Sequence, residues 1–445
     1  MGILLSGMIK SILLYIFVLP HTKTGGYKMN FSQIANKLRY KITKFSGILS
    51  KELDKTARRF IQEAIYGIIA SQSVMLTEIG RQIESCISLK KIEERFSRQL
   101  IKHKIWDCLH DRILSMASNR IKERTLLILD LSDLKKKYAE KMEYLATVRD
   151  GSEDGELVDG YWTNQVIASE VDSNEITPLY CSLYSQKSPD FVSENEEIIK
   201  SMNQVGKAVQ NRGIWVVDRG GDRDALYESL LQNKRNFIIR LVGTRDLIYQ
   251  RRTVRSLWLA HACRLPYEKT IVNIIRGKEI QFHIKYGSMP VYLPDFKNPL
   301  TMVVIKGFSN QPMMLLTSFQ INSKQNDIWF IVKSYIKRWS IEETIRFVKQ
   351  TYDMENIRVL KYVRLQNMMA LLLAVFYFIA VILDQTQKLT IMAGHVLKSA
   401  KRVFGIPDFK YYALGDGLSN IFTQYPGKLL KPAEIYNPQL SFGFG

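Results

Sequence analysis

The sequence is poor in the residues that build zinc sites and disulfide frameworks. Its four cysteines, Cys86, Cys108, Cys181 and Cys263, are far apart and form no CxxC pair, and the 445 residues include only six histidines. Neither a metal site of thiolates and imidazoles nor a disulfide network is indicated. The cysteines are expected to stay reduced, as in a cytoplasmic protein.

Uninterrupted apolar runs of membrane-spanning length are also missing. The run from Ile12 to Pro20 has nine residues, and the run from Met368 to Leu383 has 16 residues without a charge. A spanning helix needs about 18 to 20. The second run is therefore predicted to be a helix buried in a large core. Because Met29 opens a charged, helix-compatible segment, residues 1–28 are predicted to be an N-terminal extension, upstream of the folded protein.

Acidic residues are scarce relative to basic ones. The chain has 63 Lys and Arg against 43 Asp and Glu, a formal charge of +20, which favours a polyanionic partner such as nucleic acid or an anionic membrane surface. Charge alone does not separate these two. The hydrophobic content of 46% excludes a disordered chain. Between Met29 and Arg124 the pattern is helical, with 19 Lys and Arg against 10 Asp and Glu. Residues 29–123 are predicted to form an all-α DNA-binding domain.

Two amphipathic segments within this domain, 76–85 and 89–100, resemble a helix-turn-helix. Two interpretations of the basic residues on the second segment remain open. They read DNA, or they form a solvated face on an ordinary packed helix. These residues are Lys90, Lys91, Arg95 and Arg98.

The pattern changes at Thr125, where TLLILDLSDL is a continuous apolar run ending in acids, typical of a strand buried on both faces. A second such run, IWVVD, ends at Asp218. Three strands, a helix, a strand, a helix and a strand are predicted in that order, which indicates an α/β fold with a mixed sheet and helical crossovers.

The rest of the chain is divided by composition. An α/β core is predicted over 124–242 and 329–390, with a β-rich insertion at 243–328 between its two parts and a C-terminal tail at 391–445. Trp258, within the insertion, is expected to pack in a core.

Three carboxylates follow or accompany buried elements: Asp130 after LLIL, Asp218 after WVV, and Glu342 on a helix. A charged group at the end of an apolar strand is costly unless it is paired or metal-bound. If the strands are neighbours, the three acids can converge and hold hard divalent cations for phosphoryl transfer. Asp133 is the alternative to Asp130, and it is expected in the turn after the strand.

Residues 335–349 read YIKRWSIEETIRFVK and predict one helix face that carries a carboxylate among cations and a phenol. A neighbouring apolar stripe is expected to seat this helix on the core. The polar face consists of Tyr335, Arg338, Glu342, Arg346 and Lys349, and the stripe of Ile341, Ile345, Val348 and Tyr352.

The spacing of Tyr335, Arg338, Glu342 and Lys349 resembles the Tyr-Arg-Glu-Lys signature of one large group of DDE transposases of bacterial insertion sequences. Further segments over roughly 124–385 are similar to motifs of the same group. They are GYW at 160–162, DRGGDR at 218–223, FIIRL at 237–241, LLTS at 315–318 and RWSIEE at 338–343. In the family, the first acid is commonly followed by small residues or threonines. The LDLSDL segment departs from this pattern, which bears on the choice between Asp130 and Asp133.

The resemblance implies an RNase H-like mixed sheet interrupted by a β-rich insertion and preceded by the all-α domain. It implies that Asp130, Asp218 and Glu342 bind two Mg²⁺ ions, for which Mn²⁺ can substitute. Tyr335, Arg338 and Lys349 would contact phosphates near the transposon end. Arg346, on the same face but outside the signature, would support them.

The function implied is a DNA transposase that binds the terminal inverted repeats of its insertion sequence, cleaves them and joins the 3′-OH ends to target DNA. A homodimer in the synaptic complex, a cytoplasmic location at the nucleoid and no membrane are expected. Two alternatives are an RNase H-like nuclease without strand transfer and a catalytically inactive, transposase-derived DNA-binding protein.

Overall fold

The computed structural model describes residues 30–102, 104–136, 139–149, 151, 155–275, 278–399 and 409–430. The predicted extension 1–28 lies outside these residues. Thirteen α-helices occur in the described part of the chain. They are α1 (Phe31–Leu49), α2 (Lys55–Ser71), α3 (Leu76–Arg81), α4 (Leu89–Leu100), α5 (Lys104–Ser118), α6 (Glu194–Ala208), α7 (Asp224–Gln232), α8 (Ser256–Ala262), α9 (Lys324–Lys337), α10 (Trp339–Thr351), α11 (Tyr362–Tyr377), α12 (Gln385–Ser399) and α13 (Tyr411–Gln424).

Twelve strands lie between these helices in the described residues. They are β1 (Leu126–Lys135), β2 (Ala146–Arg149), β3 (Leu157–Ser169), β4 (Thr177–Tyr184), β5 (Ile214–Val217), β6 (Asn236–Arg240), β7 (Asp246–Tyr249), β8 (Arg252–Arg255), β9 (Tyr267–Ile275), β10 (Lys278–Val291), β11 (Leu300–Lys306) and β12 (Met313–Thr317). The predicted fold class, an α/β mixed sheet preceded by an all-α region and consistent with an RNase H-like fold, is confirmed.

Ten strands form one sheet in the order β2-β3-β1-β5-β6-β12-β11-β10-β9, with β4 paired to β3. The neighbours β1, β5 and β6 run parallel, and the other pairs are antiparallel. Burial of both faces explains the apolar sequences LLIL in β1 and IWVV in β5. The ladder between β1 and β5 ends at Leu129 and Val217, so the next residue of each chain segment lies at the same edge of this ladder.

The residues predicted as a β-rich insertion, 243–328, do not form a separate β layer. β12 pairs with β6, and β11, β10 and β9 continue the same sheet from there. Only β7 and β8 form a sheet of their own, a two-stranded hairpin. Trp258 is 73% exposed on α8, so the expectation that it packs in a core is wrong. The local pattern predicts the strands of this segment but not their partners.

Helices cover both faces of the sheet. Asn164 and Gln165, neighbours on β3, point to opposite sides. The Asn164 side chain donates to Glu197 O at 3.0 Å and Ser201 Oγ at 2.9 Å on α6, whereas Gln165 faces Thr344 on α10. Ser193 is the N-cap residue of α6, and its hydroxyl accepts from the Glu196 N–H at 3.1 Å, so a capping interaction fixes the first turn of the helix.

The apolar helix predicted from residues 368–383 is confirmed as a buried element. The helix Tyr362–Ile382 consists of α11 and one π-helical turn. Among the described residues, it is the one helix long and apolar enough to cross a membrane, but 83% of its most apolar window is buried in the protein. It packs against β4 and against the N-terminal helices α2, α4 and α5. The core is therefore shared between the sheet and the helical region.

One buried amide on α11 joins these two parts. The Asn367 side chain donates to Leu100 O at 2.7 Å and Lys102 O at 2.9 Å, and it accepts from Trp106 N at 3.0 Å. It thereby satisfies carbonyls at the end of α4 and an N–H in the first turn of α5. The mutual orientation of helical region and sheet is set by directional bonds as well as by apolar packing.

The helix-turn-helix interpretation fits the structure only in part. α3 has six residues, so the first predicted helix is much shorter than the segment 76–85. On α4, Lys90, Lys91 and Arg98 are exposed, but Arg95 is 2.7 Å from the buried carboxylate of Glu63. Three of the four basic residues can thus meet a polyanion, and the fourth holds α4 against α2.

Candidate active site

Asp130 and Asp218 lie side by side at one edge of the parallel ladder. β1 and β5 are parallel neighbours, and their last paired residues are Leu129 and Val217, so each acid is the residue directly after the ladder ends. Parallel neighbours are about 4.8 Å apart. The apolar stretches seat both strands in the core and leave the two carboxyl groups at the carboxyl ends of the parallel ladder, a common location for functional sites in such sheets.

β1 does not end at Asp130. It continues to Lys135, because residues 131–135 keep pairing with β3 after β5 has ended. The expectation that Asp133 lies in a turn is therefore wrong, since it is inside the strand. Its buried carboxylate is 3.4 Å from Lys349 Nζ. Asp130 thus lies next to Asp218, and Asp133 is already paired with a lysine.

The third acid, Glu342, reaches Asp130 through Arg338. Arg338 Nη2 donates to Glu342 Oε1 at 2.6 Å, and its Nη1 is 3.6 Å from Asp130 Oδ2. The Arg338 side chain is 8% exposed, whereas those of Asp130 and Glu342 are 19% and 46% exposed, so a buried guanidinium bridges two acids that water can reach. The pair between Arg338 and Glu342 has the i,i+4 spacing expected on a helix.

The electrostatics of Asp130 show that the three acids are close together. The pKa of Asp130 is raised from 3.8 to about 7, chiefly because its carboxyl group is buried. Arg338 opposes this shift, and the negative charges of Asp218 and Glu342 add to it. Asp218 and Glu342 therefore lie within electrostatic range of Asp130 in the fold.

The segment 335–349 is not a single uninterrupted helix. α9 ends at Lys337 and α10 begins at Trp339, with Arg338 between them in a helical conformation. The Arg338 N–H bonds Tyr335 O at 3.1 Å, three residues back, which tightens the turn here. The apolar stripe Ile341, Ile345, Val348 and Tyr352 is buried as predicted.

The predicted polar face divides into three parts. Tyr335 is buried beside Arg338, whose guanidinium carbon is 5.7 Å from the Tyr335 ring centroid. Lys349 faces Asp133 and Glu355, the latter at 3.8 Å. Arg346 is 54% exposed and pairs with Glu343. Arg338 therefore contacts two of the three acids, Tyr335 lies beside Arg338, Lys349 pairs with Asp133, and Arg346 pairs with an acid outside the predicted set.

Arg240 belongs to the site although the sequence analysis does not select it. β5 and β6 are parallel with Val217 opposite Ile239, so Arg240 comes after the last such pair on β6 as Asp218 does on β5. Arg240 hydrogen-bonds the Tyr335 hydroxyl, whose pKa is raised, mainly by burial. A signal for it exists in the sequence, because FIIR ends in a charge just as IWVVD does.

A further cation supports the outer end of β1. The buried ammonium of Lys136 donates to Met354 O at 3.1 Å and Glu355 O at 2.7 Å, just beyond α10. Burial lowers the pKa of Lys136 to about 8. This clamp ties β1, which carries Asp130, to the segment after the helix of Glu342.

The donor set fits a hard divalent cation. Three carboxylates supply only oxygen ligands. Burial is the main cause of the raised pKa of Asp130, and the negative charges of Asp218 and Glu342, which a bound cation would offset, add to it. As placed, the described residues contain no group of three or more acidic, His or Cys side chains in coordinating positions. The guanidinium of Arg338 lies between Asp130 and Glu342 instead.

Comparison with known proteins bears on the same residues. Residues 172–378 match the family model described as a transposase DDE domain, a range that contains Asp218 and Glu342 and begins after Asp130. No significant match is found among curated protein sequences. Among solved structures, the cryo-EM structure of a piggyBac transposase synaptic complex with hairpin DNA matches with 13% identity and a TM-score of 0.43, covering 88% of this chain and 85% of that one.

Proposed function

We propose that this protein is a DNA transposase that binds the terminal inverted repeats of a bacterial insertion sequence, cleaves their phosphodiester bonds and joins the 3′-OH ends to target DNA. The observation that best supports the proposal is the register of β1 and β5, in which Asp130 and Asp218 each follow the last paired residue of neighbouring strands. Arg338 contacts both Asp130 and Glu342. The family match over 172–378 supports a DDE-type transposase.

Asp130, Asp218 and Glu342 would hold two Mg²⁺ ions, or Mn²⁺ in their place. When bound, such ions activate an attacking water or hydroxyl and stabilise the leaving oxygen of a phosphodiester. Arg338 and Lys349 place positive charge beside the carboxylates, where it would neutralise the DNA backbone and fix the register of the strand. Tyr335 lies beside Arg338 and Arg240, and its contact with a phosphate near the transposon end is part of the proposal.

The charge distribution supports DNA as the partner. Arg251, Arg252 and Arg255 are exposed on the β7–β8 hairpin, close in sequence to the exposed Trp258. Lys90, Lys91 and Arg98 are exposed on α4. Two ends must be cut in one event, so a homodimer at the nucleoid, in the cytoplasm, is part of the proposal.

A strand-transfer assay tests the function. The inverted repeats would be taken from the DNA flanking the gene and supplied as a labelled duplex with a supercoiled plasmid and Mg²⁺. We expect labelled plasmid to form, and none when EDTA replaces Mg²⁺. Cleaved repeat without joined product would indicate a nuclease, and bound but uncut repeat would indicate a DNA-binding protein without catalysis.

Lys349 and Arg346 provide a matched pair for the DNA contacts. Lys349→Gln is expected to weaken binding to the repeat and to unrelated DNA alike, and to reduce the slope of log K against log salt by about one, because one phosphate contact is lost. Arg346→Gln is expected to have a smaller effect, since Arg346 is exposed and its charge is paired with Glu343. Fluorescence anisotropy over a salt series measures both, on variants whose unfolding temperatures have been checked. Equal effects of the two substitutions would contradict this assignment.

A further inference from the structure

A second acid, Asp222, lies four residues after Asp218 and has a fully buried side chain. Its side chain is 0% exposed, and both of its oxygens are already occupied. Oδ2 accepts from the Val242 N–H at 2.7 Å, and Oδ1 accepts from the Tyr227 hydroxyl at 3.0 Å and from Arg245 Nε at 2.8 Å. A carboxylate with three donors around it is a fixed acceptor that is not free to bind a metal.

Arg245 is bound to the same turn at several points. Besides the Asp222 carboxylate, it donates through Nη2 to the Asp222 carbonyl at 2.9 Å. Its Nη1 is 2.5 Å from Asp224 Oδ1, on the first residue of α7. Ser256, where α8 begins, donates its N–H to Arg245 O at 2.8 Å. Arg245 thus joins the β7–β8 hairpin and α8 to the turn after Asp218.

The turn transmits this anchoring to Asp218. A 3-10 turn, Arg219–Gly221, is all that separates the two acids. Asp218 Oδ1 accepts from the Gly220 N–H at 2.8 Å. A Cβ on Gly221 would lie 2.5 Å from the Val217 side chain, so the turn is packed directly against the end of β5. Asp218 therefore lies between the end of β5 and a turn that is anchored at its other end by Asp222.

We infer that Asp222 and Arg245 are positioning residues that hold the Asp218 carboxylate in the orientation that binds a divalent cation. The inference rests on the proposed function and adds two residues that do not themselves bind metal. Asp222 and Arg245 would act through the Arg219–Gly221 turn, whose Gly220 N–H bonds the Asp218 carboxylate. Loss of groups that orient a metal ligand typically lowers metal affinity about 10- to 100-fold. Asp224 contacts the same arginine from the outside and is 67% exposed, so it provides a matched acid without this role.

The experiment measures Mn²⁺ binding to the full chain by electron paramagnetic resonance, together with the Mg²⁺ dependence of cleavage. Asp222→Asn replaces one acceptor oxygen by an NH₂ group, which cannot accept from Val242 or Arg245. We expect about tenfold weaker Mn²⁺ binding and a matching rise in the Mg²⁺ concentration needed for half-maximal cleavage. Asp224→Asn is expected to change either value less than about twofold.

Arg245→Lys is the second variant, for the case that Asp222→Asn does not fold. It keeps a charge beside Asp222 but loses the bonds to the backbone, and weaker Mn²⁺ binding is again expected. Unchanged Mn²⁺ affinity in a folded variant, or equal losses in Asp222→Asn and Asp224→Asn, would overturn the inference. Wild-type protein that binds no Mn²⁺ is a different result, because it contradicts the proposed metal site itself and the inference with it.

Discussion

Asp218→Asn is expected to reduce Mg²⁺-dependent cleavage of the terminal repeat by about 10³-fold, while binding of the repeat is nearly unchanged. The substitution removes a charged oxygen ligand from the site, and metal ions contribute several kcal/mol of transition-state stabilisation, where each 1.4 kcal/mol is about tenfold in rate. Binding depends on cations that contact phosphates, which this substitution leaves in place. Single-turnover cleavage and anisotropy on the same preparation measure the two quantities.

The control is Asp246→Asn, which removes an exposed acid on β7 and is expected to cut like the wild type. Cleavage by Asp218→Asn at a rate near that of the wild type would remove Asp218 from the catalytic site. Loss of DNA binding in parallel with cleavage would instead assign Asp218 to the integrity of the fold.

Asp130→Asn is expected to stabilise the metal-free protein at pH 8 while abolishing cleavage. The pKa of Asp130 is raised from 3.8 to about 7, mainly by burial, so its ionised form is less stable in the fold than in the unfolded chain. Asparagine has nearly the same shape without the charge. We expect a gain of about 1–2 kcal/mol in the free energy of unfolding at pH 8, a size common for relief of active-site strain.

The sign of the pH dependence is set by the same shift. The folded protein keeps the Asp130 proton up to about pH 7, whereas the unfolded chain releases it near pH 3.8. The stability contributed by Asp130 is thus complete below pH 4 and is lost as pH rises through 7. The advantage of Asp130→Asn is expected to shrink from pH 8 towards pH 5.

Urea unfolding with EDTA at pH 5 and pH 8 measures this advantage. Asp133→Asn is the matched control, and it is expected to destabilise at pH 8 because it leaves Lys349 without its buried partner. A destabilised Asp130→Asn at pH 8 would mean that the bond with Arg338 outweighs the burial of the carboxylate.

The positions of Asp130 and Asp218 can be predicted because a strand buried on both faces has a continuous apolar sequence. LLIL and IWVV are apolar throughout, and the first charge after each run lies where the parallel ladder ends. The identity of the neighbouring strand is not contained in this pattern. The prediction for Asp133 is wrong for that reason, since β1 remains a strand by pairing with β3 after β5 has ended.

The helix face is predicted from spacing, and spacing gives only the directions of side chains. Lys349 pairs with Asp133, an acid that is distant in sequence, whereas Arg338 pairs with Asp130 and Glu342. The break at Arg338 is also not predictable from spacing, because Arg338 keeps a helical conformation between the two helices. Strands in the segment 243–328 are predicted from their local sequence pattern. Their place in the main sheet depends on the pairing of β12 with β6, which this pattern does not contain.

The three bonds of Asn367 limit how this chain could be re-engineered. They connect α11 to the helices that would read DNA, within a core that both regions share. Grafting the N-terminal helices of another protein onto this sheet would leave that amide facing foreign backbone and expose apolar surface on α11. Exchange of sequence specificity would therefore require α11 to be transplanted together with the graft.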